Sequence, residues 1–156
     1  MIFGWLQVGK TIDVSRDEIP NWLQYHPHVV NFNGGVQGYT NNNMIYVAAD
    51  QLILGNENFG VRGAGTFPCF KSSSQLTDPG RSMRCWRLPN WFYPSFDSSG
   101  QPQRTPLTYH KKQESWETHN DHVILKTTSP GQEFVFDTEE YPEAIEWLKS
   151  LFEDCC

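Results

Sequence analysis

Residues 84–94, Arg-Cys-Trp-Arg-Leu-Pro-Asn-Trp-Phe-Tyr-Pro, gather four aromatic rings, two arginines and two prolines in one short stretch. Rings of this kind stack nucleobases, a contact worth about 1–3 kcal/mol per base. Guanidinium forks meet phosphates and base edges in bidentate fashion. Trp91, Phe92 and Trp5 are the leading stacking candidates, with Trp22, Trp86 and Trp116 behind them. Arg84 and Arg87, followed by Arg81, are the candidates for phosphate. A structural reading stands against this one. Apolar residues make up 38% of the chain and aromatics 14%, so the core must be built from rings that each cover about 150–250 Å². On that reading most tryptophans are core and the arginines lie over them.

The histidines offer a second chemistry. His26 and His28 are two apart, as a metal pair on an extended chain requires. His119 and His122 are three apart, Asp121 could add an oxygen, and His110 is a further candidate. Pro27 sits between the first pair and favours a helix-terminating turn in which each imidazole bonds backbone. No recognised ligand spacing links the pairs, so no metal and no other cofactor is assigned.

Other motifs are weaker. Cys85 lies between Arg84 and Trp86, where cations could lower its pKa, but a cysteine among apolar neighbours is more often a small core residue. Cys69, Cys85, Cys155 and Cys156 form no C-x-x-C pair, and the last two are adjacent, a poor arrangement for zinc. Glu139, Glu140, Glu143 and Glu146 read as a solvated helix start. The run Gly-Val-Arg-Gly-Ala-Gly at 60–65 lacks the Lys-Ser/Thr ending of a phosphate loop, and there is no G-x-S-x-G elbow.

The elements that must position these residues are short. A chain of 156 residues with 12 glycines and 10 prolines reads as a single domain, residues 1–156, rich in strands and turns. Residues 1–8 read as a strand. Ser15-Arg16-Asp17-Glu18 matches a capping box, with a short helix from about Pro20 to Tyr25 that Pro27 stops. Residues 31–43 read as a polar loop. Residues 44–48 and 51–54, a piece near Thr66, residues 123–126 and residues 133–137 read as strands, the last two joined by a turn at Pro130-Gly131. Asp78-Pro79-Gly80 is a turn, residues 95–105 a mobile polar linker, and residues 116–122 ambiguous. A helix opens at Pro142, with Ile145, Leu148, Leu151 and Phe152 as its apolar stripe. The net charge of −6 argues against a protein that coats duplex nucleic acid, and leaves room for a pocket that reads one nucleotide. No apolar run approaches 18 residues, so no membrane association is expected, and the expected location is the cytoplasm, with reduced thiols.

The order of motifs resembles a known family. Phe3-Gly4-Trp5-Leu6-Gln7-Val8, Trp22-Leu23, His26-Pro27-His28, residues 43–48, Leu76-Thr77-Asp78-Pro79-Gly80, Trp86-Arg87-Leu88-Pro89-Asn90-Trp91-Phe92, Leu107-Thr108-Tyr109-His110 and Gly131-Gln132-Glu133-Phe134-Val135 look like the C-terminal part of the third nucleotide-modification-associated domain, a mostly prokaryotic family. Members of that family carry a further region before the Phe-Gly-Trp-Leu-Gln-Val strand. The resemblance therefore implies a truncated, split or reduced member, and a protein partner at the Met1 strand is one way to complete it. It also implies a setting of nucleotide modification, with a nucleotide or single-stranded nucleic acid as partner. By analogy the fold is similar to the small PUA-like barrels that bind modified bases.

The expectation is an α+β, mostly β fold: a curved or barrel-like (PUA-like) sheet, a short N-terminal helix and a C-terminal helix. The expected function is nucleotide or modified-base recognition through Trp5, His26, His28, Arg84, Arg87, Trp91 and Phe92. The alternatives are a metal-assisted hydrolase or transferase on nucleotides using His26, His28 and His110, or an interaction subunit. One face of residues 84–94 is expected to pack inward while its arginines line the ligand pocket.

Overall fold

The computed structural model describes residues 1–39, 43–107, 110–128 and 133–153. The chain divides into two compact units, Gly4–Thr66 on one side and Met1–Phe3 with Phe67–Cys156 on the other.

The first unit, Gly4–Thr66, holds β1 (Gly4–Leu6), β2 (Val8–Asp13), α1 (Pro27–Asn33), β3 (Met44–Ala48), β4 (Ile53–Leu54), β5 (Glu57–Asn58) and β6 (Ala64–Thr66). The strand expected over residues 1–8 is split, starting at Gly4 and pausing at Gln7 before β2. β1 pairs antiparallel with β6, placing Trp5 opposite Gly65. A Cβ at Gly65 would stand 2.6 Å from a ring carbon of Trp5, so only glycine lets the indole lie there. β2 pairs with β3 through a bulge between Val8 and Lys10. Ile12, Val14, Leu23, Val29 and Ile45 form the unit's core.

Three expectations in this unit are corrected. No helix follows Ser15. The Asp13 carboxylate accepts from both the Ser15 backbone N–H (2.9 Å) and its hydroxyl (2.5 Å), so the hydroxyl is drawn back and cannot cap forward. The short helix from Pro20 shrinks to one 3-10 turn, Asn21–Leu23. Pro27, expected to stop a helix, opens α1 instead. At the first helical position its missing N–H costs nothing. The ring also holds His26 extended, with ψ at 136°, so that His26 Nδ1 accepts from the His28 N–H at 3.3 Å as a cap.

The second unit holds β7 (Cys85–Pro89), β8 (Trp116–Thr118), β9 (His122–Lys126) and α2 (Ala144–Glu153). Its first three residues are tied in by Ile2 N–H to Ser74 O (2.7 Å) and Phe67 N–H to Phe3 O (2.9 Å). The strands form an antiparallel sheet in the order β7-β9-β8. Trp86, Leu125 and Trp116 share one cross-strand row, and Arg87, Ile124 and Glu117 the next. Because side chains alternate, the first row faces the core and the second faces outward. Trp86, Leu88, Phe92, Leu107, Trp116, Val123, Leu125, Tyr141 and Ala144 make that core.

Asp78-Pro79-Gly80 is a turn as expected, with Gly80 at φ +77° and Arg81 N–H donating to Asp78 O at 3.0 Å. Residues 133–137 are not a strand. Phe134 and Phe136 both pack on the core, so the alternation reports burial and not a strand. The expected turn at Pro130-Gly131 lies outside the described residues, as do Cys155 and Cys156. The C-terminal helix begins at Ala144, later than Pro142, and buries Ala144 and Leu151, with Trp147 against the core. Among the described residues the strands form small antiparallel sheets and none closes into a barrel, so the barrel-like form expected by analogy is not found there. Strand exceeds helix, and no described helix is long and apolar enough to cross a membrane.

His110 is 3% exposed, and its carbonyl accepts the Trp116 indole N–H at 3.0 Å. Burial holds its pKa below the ordinary histidine value. The folded state therefore keeps the ring neutral where the unfolded chain, titrating near 6.5, binds a proton. Unfolding free energy should be full above about pH 6.5 and fall as pH drops below it, with a slope of at most about 1.4 kcal/mol per pH unit. Urea melts at pH 7.5 and 5.5 check this. His110→Gln should flatten the difference, and an unchanged difference in that variant would assign the effect elsewhere.

Candidate functional site

The outward row of the β7-β9-β8 sheet carries charge. Arg87 stands at its centre because it alternates with Trp86 and Leu88, which are fixed in the core. Its Nη2 lies 3.0 Å from Asp121 Oδ2 and its Nη1 3.9 Å from Asp78 Oδ1. Arg81 follows the glycine turn and bridges Glu117 Oε2 at 2.7 Å and Asp78 Oδ2 at 3.3 Å. Lys126 Nζ stands 4.0 Å from the other Glu117 oxygen. Cations and carboxylates thus alternate over the sheet face, and Ile124 lies buried beneath them.

One end of this face adds imidazole. His122 is opposite Pro89 in the ladder, and its Nδ1 lies 2.7 Å from Asp121 Oδ1. The hydrogen bond from His122, with Arg87 as a smaller contribution, holds Asp121 below the usual carboxylate range. An ionised carboxylate only accepts, so His122 Nδ1 carries the proton and Nε2 is the nitrogen left to act. The His119 ring stacks on His122, with centroids 4.5 Å apart and planes within 4°. Glu117 is held low in the same way, first by its hydrogen bond from Arg81. Arg87, Leu88, Pro89, Asp121 and His122 line an open groove of about 310 Å³. An arginine and an orientable imidazole flanking one groove can bind an oxyanion.

Arg84 is less free than Arg87. Its Nε donates to Thr127 O at 2.9 Å, and its carbonyl accepts from the Thr127 N–H at 2.8 Å and hydroxyl at 3.2 Å. The aromatics of residues 84–94 point the other way. Phe92 is 0% exposed and contacts the rings of Trp91, Phe134, Phe136, Tyr141 and Trp147. Trp91 is half-buried, with its ring centroid 3.9 Å from that of Phe92. Trp86 is buried, and its indole N–H donates to Met83 O at 3.2 Å. Cys85 is buried as well, in keeping with a small core residue.

Trp5, His26 and His28 belong to the first unit. The Trp5 indole N–H donates to Arg62 O at 3.1 Å. The Asn43 amide donates to the His28 carbonyl at 3.2 Å, while His28 Nδ1 and Asn43 Oδ1 are buried without hydrogen-bond partners among the described residues. The most exposed aromatics of this unit are Trp22 (66%) and Tyr25 (89%), beside His26. Among the described residues, no three His, Cys, Asp or Glu side chains come together as a metal-holding group.

The structure therefore brings Arg87 together with Asp121 and His122, which the sequence offered separately. Asp78 and Glu117 were not foreseen as members. The signal for them was the register: once Trp86, Leu125 and Trp116 share the inner row, Glu117 must share the outer row with Arg87.

A family model described as nucleotide modification associated domain 3 matches residues 1–137, which span both units. No curated protein and no solved structure matches the chain.

Proposed function

The chain belongs to the family of nucleotide modification associated domain 3, and on that premise we propose that it recognises a nucleotide or a modified base through the charged face of its β7-β9-β8 sheet. The observation that carries this reading is the groove where Arg87 and His122 are both held by Asp121. Arg87 presents its guanidinium to one phosphate, and His122, oriented by Asp121, lines the same groove. Arg84 is a further candidate cation of the stretch, with its Nε held on Thr127 O at 2.9 Å. Phe92 supports the site from beneath as core, which leaves Trp91 and Tyr93 as the half-buried rings of the stretch. Trp5, His26 and His28 are the corresponding candidates in the first unit.

The test is a titration of the full chain with nucleoside monophosphates and with a short single strand carrying a modified base, followed by heteronuclear NMR. Resonances of Arg87 and His122 should move. Affinity should fall as salt rises from 0.05 to 0.5 M, because the face is exposed and the Debye length at 0.1 M is about 10 Å. An absence of any perturbation at millimolar ligand would sink the reading.

A further inference from the structure

The loop that follows residues 84–94 carries a second groove, and we propose that it binds an adenine nucleotide, with two glutamines reading the base edge and Lys111 meeting the phosphate. This inference rests on the family's nucleotide setting but on a different set of residues from the sheet face.

The loop's backbone is fixed at many points. Asp97 Oδ1 accepts from the Ser99 N–H (2.8 Å), the Ser99 hydroxyl (2.7 Å) and the Gln101 N–H (2.9 Å). Phe96 and Pro102 form a bridge, and Arg104 N–H returns to Pro94 O at 3.1 Å. Thr105 gives its N–H (2.8 Å) and its hydroxyl (2.9 Å) to the two oxygens of Glu140. The Tyr141 hydroxyl then donates to Thr105 O at 2.8 Å. Arg104 donates to Trp91 O at 2.9 Å, with its guanidinium 4.8 Å from the Tyr141 ring centre.

Against this fixed frame, three polar side chains make no hydrogen bond or ion pair among the described residues: Gln101, Gln103 and Lys111. All three line an open groove of about 610 Å³, with Pro102, Pro106 and Glu140. A carboxamide pairs a donor with an acceptor, which matches the adjacent amino group and ring nitrogen of adenine. Lys111 supplies a point charge suited to phosphate. Glu140 has each oxygen engaged by Thr105, so it competes less for Lys111 than a free carboxylate would. The half-buried ring of Pro102 offers apolar wall to a base. A frame ordered before binding reduces the entropy that a ligand must otherwise overcome.

The experiment is calorimetry on the full chain with AMP, GMP, adenosine and inorganic phosphate, on the parent protein and on Gln101→Ala, Gln103→Ala, Lys111→Ala and Arg87→Ala. The expected result is AMP binding about tenfold or more tighter than GMP, consistent with one discriminating amide contact, and tighter than adenosine. Gln101→Ala and Gln103→Ala should each reduce the preference for AMP over GMP. Lys111→Ala should remove the preference for AMP over adenosine. Arg87→Ala should remove only the sheet-face part of the binding, and the preference for AMP over GMP that Gln101 and Gln103 set should persist in it. Thermal melts of the Gln101, Gln103 and Lys111 variants should match the parent, since these side chains make no hydrogen bond or ion pair among the described residues. AMP binding that Arg87→Ala abolishes and Gln103→Ala does not touch would overturn this proposal while sparing the sheet face. AMP binding no tighter than phosphate alone, or no binding at all, would also overturn it. If AMP binds with the loop pattern but no ligand perturbs Arg87, the sheet-face reading fails and this one stands.

Discussion

Phe92→Ala should be the most damaging single substitution in the second unit, costing about 3–5 kcal/mol in urea unfolding. The reason is local geometry. Residues 90–92 form one 3-10 turn directly after β7, and that turn drives Phe92 into the core while the strand continues the outer face. Its ring meets Phe134, Phe136 and Trp147 edge-on, at centroid distances of 6.3, 5.4 and 5.3 Å. Edge-to-face pairs add to the burial itself. Truncation would leave a cavity that α2 and residues 133–137 cannot fill without moving, because both are held by the same ring. Phe92→Leu should cost less, since volume is partly kept. A loss under about 1 kcal/mol for Phe92→Ala would mean that the site collapses freely and that the ring is not central.

Arg87→Ala should weaken nucleotide binding at the sheet face about 10- to 100-fold, the range expected for loss of a charged hydrogen bond of about 1.5–3 kcal/mol. The fold should hardly change, because the ion pairs of Arg87 are exposed and such pairs contribute little to stability. Arg87→Lys should recover only part of the affinity, since an ammonium cannot make the bidentate contact. A sharper discriminator is Asp121→Asn. In the resting protein Asp121 and Asp78 compete with any phosphate for the Arg87 guanidinium. Removing the Asp121 charge should therefore tighten binding while loosening the orientation of His122. Isothermal titration of the three variants checks the series. Equal affinity for the parent and Arg87→Ala would remove Arg87 from the site, and a weaker Asp121→Asn would show that Asp121 supports binding instead of opposing it.

Much of the second unit could be read from side-chain types alone. One face of residues 84–94 is expected to pack inward, and β7 divides it so, with Trp86 and Leu88 in and Arg87 out, while Arg84 is held on Thr127 O. What could not be read was the pairing. Residues 116–122 looked ambiguous because polar residues dominate them, yet Trp116 supplies the inward anchor that makes β8 an edge strand. Residues 133–137 failed in the opposite direction. Alternating phenylalanines suit a strand, but the alternation reports only which side is buried, and ladder partners are set by the rest of the chain. In the first unit the competing interactions were local. Ser15 had two possible partners for one hydroxyl and took the nearer, and Pro27 served as a helix start where a stop was expected. The groove lined by Gln101, Gln103 and Lys111 left no sequence signal, because isolated amides in a polar loop look like any solvated turn.

The pairing of residues 1–3 with residues 67–74 has a consequence for the order of events during synthesis. The backbone partners of Ile2 and Phe3 are Ser74 and Phe67, made long after them. Every ladder of the unit Gly4–Thr66 is complete by the time Thr66 has been added. That unit can therefore close on the ribosome while the first three residues still wait for their partners. Residues 1–3 then behave as a late latch, docked only after residues 67–74 have been made.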